Sequence, residues 1–270
     1  MKILICGDVM GKAGRKAVEN NLPDIRQRLD LDFVILNGEN AAHGFGITDK
    51  ICKTFYNAGT DVITTGNHVW DQREIIKYIE SDNKLLRPMN YPTGTPGVGF
   101  GIFEAHRGRK VMVLNIMGRL FMDPLDDPFS AVEDALANQY LGKTVDAIIV
   151  DFHAEATSEK QGMGHFLDGR VSAVVGTHTH TPTADSQILP GGTAFQSDIG
   201  MIGDYDSVIG MKKELATKRF TTKISQGRLE PAEGEATFCA VYVETDDSTG
   251  LAKKVGALRM GGRLKKEWPM

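Results

Sequence analysis

Gly66-Asn67-His68-Val69-Trp70-Asp71 is the stretch whose placement decides the fold. It follows a β-like run, Asp61-Val62-Ile63-Thr64-Thr65, and precedes a helix signal in which Asp71 can cap and Glu74 can complete a capping box. Asn67 and His68 therefore fall in a strand-to-helix loop. In an open α/β sheet such loops gather at the carboxyl ends of the strands, the edge where ligands bind. An amide oxygen there can coordinate a metal, and the neighbouring imidazole can deliver a proton to something the metal holds.

Working outward, Lys2 to Cys6 is expected to be a buried first strand, followed by a glycine-rich turn and helical segments to about Leu29, interrupted near Pro23. Asp32 to Leu36 is a second apolar run ending at Asn37-Gly38-Glu39-Asn40, and Thr48 can cap a helix through Ala58, which Gly59 stops. This β-α-β-α-β-α order is the signature of a layered sheet with helices outside. The proline- and glycine-rich segment from Arg87 to Gly101 is expected to be a long irregular loop of the kind that serves as a lid or binding loop. Gly99 to Ala105 and Lys110 to Ile116 look like an antiparallel pair, Asp127-Pro128 opens a helix to about Leu141, and Ala147 to Phe152 is an apolar strand ending in His153. Val171 to Val175 leads into Gly176-Thr177-His178-Thr179-His180. A helix-like stretch at Met211 to Arg219 and strands at Thr237 to Glu244 and Leu251 to Met260 complete the chain. With no repeat, linker or low-complexity tract, residues 1–270 are expected to form a single domain.

A formal net charge of −4 gives no general field for duplex nucleic acid, so a phosphate-bearing ligand must be drawn by a local site such as bound cations. Cys6, Cys52 and Cys239 lie far apart without CxxC spacing, which fits buried thiols of a reduced, cytoplasmic protein. No apolar run approaches the ~20 residues of a membrane span. The oligomeric state is left open, a homo-oligomer included.

Successive strands end in potential metal ligands: Asp8, Glu39, Asn67, His153, and then His178 with His180. Each alone has a plain structural explanation as a turn former or cap. Together, at one edge of a parallel sheet, they would form an awkward cluster without cations to neutralise the carboxylates. The His178-x-His180 spacing, taken as an extended segment, aims both imidazoles the same way. Carboxylate, amide and imidazole donors without thiolates suit Mn, Fe or Zn in a reactive rather than a structural site.

These motifs, Gly7-Asp8, Gly66-Asn67-His68, His153 and Gly176-x-His178-x-His180, resemble in order those of the calcineurin-like metallophosphoesterases. More closely, Gly7-Asp8-Val9-Met10-Gly11, Asn37-Gly38-Glu39-Asn40, Asp151-Phe152-His153-Ala154-Glu155 and the segment from Thr177 to Asp185 resemble the YmdB-like bacterial branch, over nearly the whole chain. The resemblance implies an α/β fold, a layered metallophosphoesterase sandwich of central mixed β-sheets flanked by helices. It also implies that Asp8, Glu39, Asn40 and His180 hold one metal and Glu39, Asn67, His153 and His178 the other. Asp8-Val9-Met10 replaces the superfamily's Asp-x-His, and Glu39 its bridging aspartate, both in keeping with this branch. Ser197 stands for threonine in its Thr-Asp-x-Gly-Met segment, and Asp204 for proline, departures that fall near the substrate rim.

The implied chemistry is phosphodiester hydrolysis, with 2′,3′-cyclic nucleotides as the suggested substrates, by a hydroxide activated between two cations, Fe or Mn foremost and Zn as a further candidate. His68 is assigned to protonating the leaving oxygen or stabilising the developing charge. Asp151 and Glu155 flank His153, where they can either orient imidazoles or serve as surface caps. His43, in a glycine-containing loop just after Asn40, is read as a solvated histidine, with substrate contact as the alternative, and His106 and His165 receive no role. Two rival readings are a metal- or nucleotide-binding regulatory protein with slow turnover, and a dinucleotide-binding oxidoreductase using Gly7-x-x-x-Gly11-x-x-Gly14 with Glu39 on a ribose. The second leaves a carboxylate, Asp8, inside the phosphate turn.

Overall fold

The computed structural model describes residues 1–224 and 227–269. The strands are β1 (Lys2–Cys6), β2 (Asp8–Val9), β3 (Phe33–Asn37), β4 (Val62–Thr64), β5 (Phe100–Glu104), β6 (Lys110–Met117), β7 (Ala147–His153), β8 (Ala173–Thr177), β9 (Gln187–Ile188), β10 (Ala194–Gln196), β11 (Met201–Asp204), β12 (Ala236–Thr245) and β13 (Ala252–Met260). The helices are α1 (Gly11–Leu29), α2 (Asp49–Asn57), α3 (Ile75–Tyr78), α4 (Pro128–Leu136), α5 (Thr157–Phe166) and α6 (Lys213–Thr222). One sheet runs β2-β11-β12-β1-β3-β4 with β13 alongside β12, and the other runs β5-β6-β7-β8-β10-β9. Both mix parallel and antiparallel pairs, as the resemblance implied.

Alternation within fully buried strands sets the layers. Ile3, Ile5, Phe33, Ile35 and Val62 face Val111, Val113, Ile149 and Val175 across the gap between the sheets. Their neighbours Leu4, Cys6, Val34, Leu36 and Ile63 point outward, onto Val18, Leu22 and Ile25 of α1 and Cys52 and Phe55 of α2. On the other side Leu114, Ile148, Val150 and Phe152 pack on Val132 of α4 and Met163 of α5. The result is a helix-sheet-sheet-helix sandwich. All three cysteines are free and buried. Among the described residues no helix is long and apolar enough to cross a membrane.

Several expectations need correction. α1 runs through Pro23 without a break, because Pro23 lies on its exposed face, where the carbonyl that loses its partner can bind water. Asp71 and Glu74 form no capping box: α3 begins later, at Ile75, with no side-chain cap. The segment from Arg87 to Gly101 is irregular as far as Gly99, where β5 takes over, and it is firmly tied. The Arg87 guanidinium donates to the carbonyls of Pro88, Thr95 and Pro96, and Asn90 both donates to and accepts from the backbone of Met117.

The glycines of the dinucleotide-like pattern have a packing explanation. A Cβ on Gly7 or Gly14 would collide with the carbonyl of Gly200 or Ile202, so both glycines let the first turn and α1 lie against the start of β11. The backbone N–H groups of Met10, Gly11 and Gly14 already donate to Ile202, Asn40 and Met10. Three backbone donors of the helix start that a pyrophosphate would use are thus already engaged within the protein.

Candidate active site

The fold brings together all of Asp8, Glu39, Asn40, Asn67, His153, His178 and His180. Ligand atoms of Glu39, His153 and His178 form one tight group, and those of Asp8, Glu39 and His180 another, with Glu39 common to both. Asn67 Oδ1 stands 3.1 Å from His153 Nε2, and Asn40 Oδ1 3.2 Å from His180 Nε2. The division of supply follows the sandwich. The oxygen donors sit on or just beyond β2, β3 and β4 of one sheet, and the imidazoles on or just beyond β7 and β8 of the other.

The hydrogen bonds behind each imidazole determine which nitrogen faces the cluster. Thr177 Oγ1 donates its one proton to Asp151 (2.7 Å), so it must accept from His153 Nδ1 (2.9 Å), leaving His153 Nε2 inward. His180 Nδ1 donates to the Ile209 carbonyl (2.8 Å), turning its Nε2 inward. His178 Nε2 lies 3.2 Å from the Glu155 carboxylate, which turns Nδ1 inward, 3.0 Å from His153 Nε2. Asp151 and Glu155 thus orient imidazoles rather than cap the surface.

Asn40 Nδ2 donates to the Gly44 carbonyl, so its oxygen faces the His180 Nε2 lone pair. Asp8 Oδ2 accepts from the His178 N–H, while Asp8 Oδ1 is fully buried with no hydrogen-bond partner among the described residues. Lone pairs facing lone pairs, beside an orphaned buried carboxylate oxygen, call for cations. Space has been kept for the donors: a Cβ on Gly66 would strike both Glu39 and His153. The residues therefore fit a metal centre.

The electrostatics carry the same demand for positive charge at the cluster, a demand that a proton on His153 beside Glu39 also answers. Burial pushes the Asp8 carboxyl well above its usual range, and Glu39, Asp198 and Asp151 add to that against the pull of His153. Burial acts against charge at Glu39 and His153 as well, but their mutual attraction outweighs it, holding Glu39 down at about 2 and lifting His153 to about 9. Burial, reinforced by the charge on His153, lowers His178 to about 3.

His178 and His180 do not converge through an extended segment. Their φ values of 98° and 65° put both in the left-handed region, which costs a non-glycine residue on the order of 1 kcal/mol or more. The turn is held by Asp198, which sequence reasoning passed over as part of a family segment. Asp198 Oδ2 accepts from the N–H and hydroxyl of Thr179 (3.0 and 2.7 Å) and from the buried Lys160 ammonium (2.7 Å), and Oδ1 accepts from the Gly200 N–H (2.8 Å). Lys160 lies in a polar helical stretch and gives no local sign of being buried.

His68 stands at the cluster's edge with its N–H on Glu39 (3.3 Å). Its Nδ1 meets Asp71 Oδ2 at 2.9 Å, so the expected helix cap is instead the carboxylate that orients this imidazole. The Phe45 ring packs against His68 in a T-shaped contact, 5.1 Å between centroids. A cavity of about 500 Å³ opens over Glu39, Asn40, His68, Asp71, His178 and His180. No residue from Arg87 to Gly101 lines it. Its far wall is Phe45 together with Val208, Ile209, Met211, Phe220, Arg228 and Leu229.

A layered α/β sandwich carrying acid, amide and imidazole donors on its strand ends, with a carboxylate-held histidine beside them, defines an enzyme of the phosphoesterase class. Comparison with known proteins sharpens this. A family model described as "YmdB-like protein" matches residues 4–258. A Bacillus subtilis (strain 168) protein named 2′,3′-cyclic-nucleotide 2′-phosphodiesterase is 47% identical over 255 residues, covering 94% of this chain and 95% of its own. A solved structure of a hypothetical protein from Thermus thermophilus superposes with a TM-score of 0.90 at 43% identity, over 97% of this chain and 100% of the other. A Mycoplasma pneumoniae structure described as a novel phosphatase gives 0.89 at 34% identity, over 97% and 93%. The chain belongs to the YmdB-like protein family.

Proposed function

We propose that this protein is a metal-dependent phosphodiesterase acting on 2′,3′-cyclic nucleotides, with all of residues 1–270 serving as one catalytic domain. The observation that carries the reading is the set of inward lone pairs: His153 Nε2 against His178 Nδ1, and His180 Nε2 against Asn40 Oδ1. Asp8, Glu39, Asn40 and His180 would hold one cation, and Glu39, Asn67, His153 and His178 a second. The mixed oxygen and nitrogen donors favour Fe or Mn, with Zn also compatible. Bound cations would supply an activated water near neutral pH and neutralise charge on the phosphate. The name of the Bacillus subtilis relative supports a 2′,3′-cyclic substrate with cleavage at the 2′ oxygen.

The chain's own part in the reaction is proton placement. As water's oxygen bonds to phosphorus and the P–O2′ bond breaks, O2′ must gain a proton. His68 is placed to give it from Nε2, since Nδ1–H is committed to Asp71. That carboxylate keeps the ring aimed. The Asp151–Thr177 pair and Glu155 hold His153 and His178 in the tautomers that present lone pairs.

The test combines elemental analysis of protein purified without added metal with hydrolysis of a 2′,3′-cyclic nucleotide before chelation, after it, and after restoring Mn or Fe. Two equivalents of metal and activity that follows them are expected. Full turnover by metal-free protein would overturn the proposal.

A further inference from the structure

The cavity is more than a metal centre needs. One end is polar, but the wall opposite includes Met10, Phe45, Met211, Phe220 and Leu229, with the Arg228 guanidinium 5.3 Å from the Phe45 ring centroid. A phosphate and its cations gain nothing from such a surface. Phe45 is also carefully presented. Its N–H donates to the Ala42 carbonyl, its own carbonyl accepts from Gln72 Nε2 (2.7 Å), and Gly44 and Gly46 on either side have φ of 86° and 78°. The backbone is thus fixed while the ring remains half-exposed in the cavity, touching His68. A group that stacks on Phe45 therefore lies beside the residue that would protonate the leaving oxygen.

In a nucleoside 2′,3′-cyclic phosphate, a flat aromatic base is joined to the reacting phosphate through a single ribose. Base stacking on an aromatic ring, with a guanidinium alongside, is a recurrent way of holding such a group. Resting on the phosphodiesterase reading above, we infer that Phe45 and Arg228 form a nucleobase subsite through which the enzyme prefers nucleoside cyclic phosphates to phosphodiesters lacking a base. The subsite is built from Phe45, Met211, Phe220, Arg228 and Leu229, not from the segment at Arg87 to Gly101.

The experiment compares kcat/KM for adenosine 2′,3′-cyclic phosphate with that for methyl riboside 2,3-cyclic phosphate, in which a methoxy group replaces the base. The affinities of the corresponding 3-phosphate products are measured by calorimetry. The wild-type protein should favour the adenosine compounds by about tenfold or more. Phe45→Ala should bring both ratios close to one, Phe45→Trp should preserve them, and Arg228→Met should lower them a few-fold. Phe45→Leu, which keeps apolar bulk without a π face, should behave like Phe45→Ala and guards against loss of fold. Equal handling of the two substrates by wild type, or an unchanged ratio in Phe45→Leu, would overturn the subsite and leave the phosphodiesterase reading standing. Failure of wild type to hydrolyse either substrate would remove the reading itself.

Discussion

At the floor of the cleft nearly every donor is held from behind: His153 by Thr177 and Asp151, His178 by Glu155, and His180 by the Ile209 carbonyl. Across the same cavity the wall exposes apolar side chains, among them Ile209 at 57% and Phe220 at 72%. The floor is largely buried and polar, fixed by directional bonds that set which nitrogen of each imidazole faces the cluster. The wall is open and apolar, suited to a broad contact that tolerates small displacements. Chemistry that must place charge to within a fraction of an ångström needs the first construction, whereas recognition by stacking can use the second.

Substitutions at the two regions should therefore fail differently. The largest effect is expected for Glu39→Gln, because Glu39 belongs to both donor groups: metal content should fall and phosphodiester hydrolysis should disappear, and a fully loaded, active variant would contradict the shared role. His68→Ala should lose about 10²- to 10⁴-fold in rate while retaining its metals. The deficit should shrink for a p-nitrophenyl ester, whose leaving group needs no proton, and an equal loss on both substrates would remove His68 from proton transfer. Thr177→Val, which deprives His153 Nδ1 of its acceptor, should weaken metal binding by about 10- to 100-fold, read by chelator competition. Unchanged affinity would make that hydroxyl a bystander.

The smallest effect is expected at the wall's base. Asp204 accepts from the N–H groups of Asp206 and Gly234, closing the excursion that carries α6. The family pattern would have proline there, and the carboxylate serves as a clasp instead. Asp204→Ala should cost about 1–3 kcal/mol in thermal stability with metal affinity retained. Loss of metal in this variant would show that floor and wall are not separable.

Much of the floor was legible because parallel strands carry polar residues to a common edge, so Asp8, Glu39, Asn67, His153 and the His178–His180 pair could be read from strand ends alone. What could not be read depended on how side chains are turned, within a short loop or between distant segments. Asp71 had the spacing of a helix cap, but α3 begins later and the local turn sets its carboxylate against His68, three residues back. Asp198 and Lys160 look like surface charges until their burial is seen. Pro23 advertised a break that its exposed face does not require. The Arg87–Gly101 segment has the composition of a lid, yet one guanidinium and one amide bind it in place. Composition reports that a segment is irregular; it does not report whether its backbone groups find partners.

The division of donors between the sheets, oxygens from one and nitrogens from the other, would make a loaded centre of the proposed kind a rivet through the sandwich. The apolar layer formed by Ile5, Ile35, Val113 and Ile149 then acts as a spacer that sets the gauge of the ligand cage. Thinning that layer would alter the grip on the ions before it threatened the fold, and withdrawing the ions would loosen the two halves at their seam.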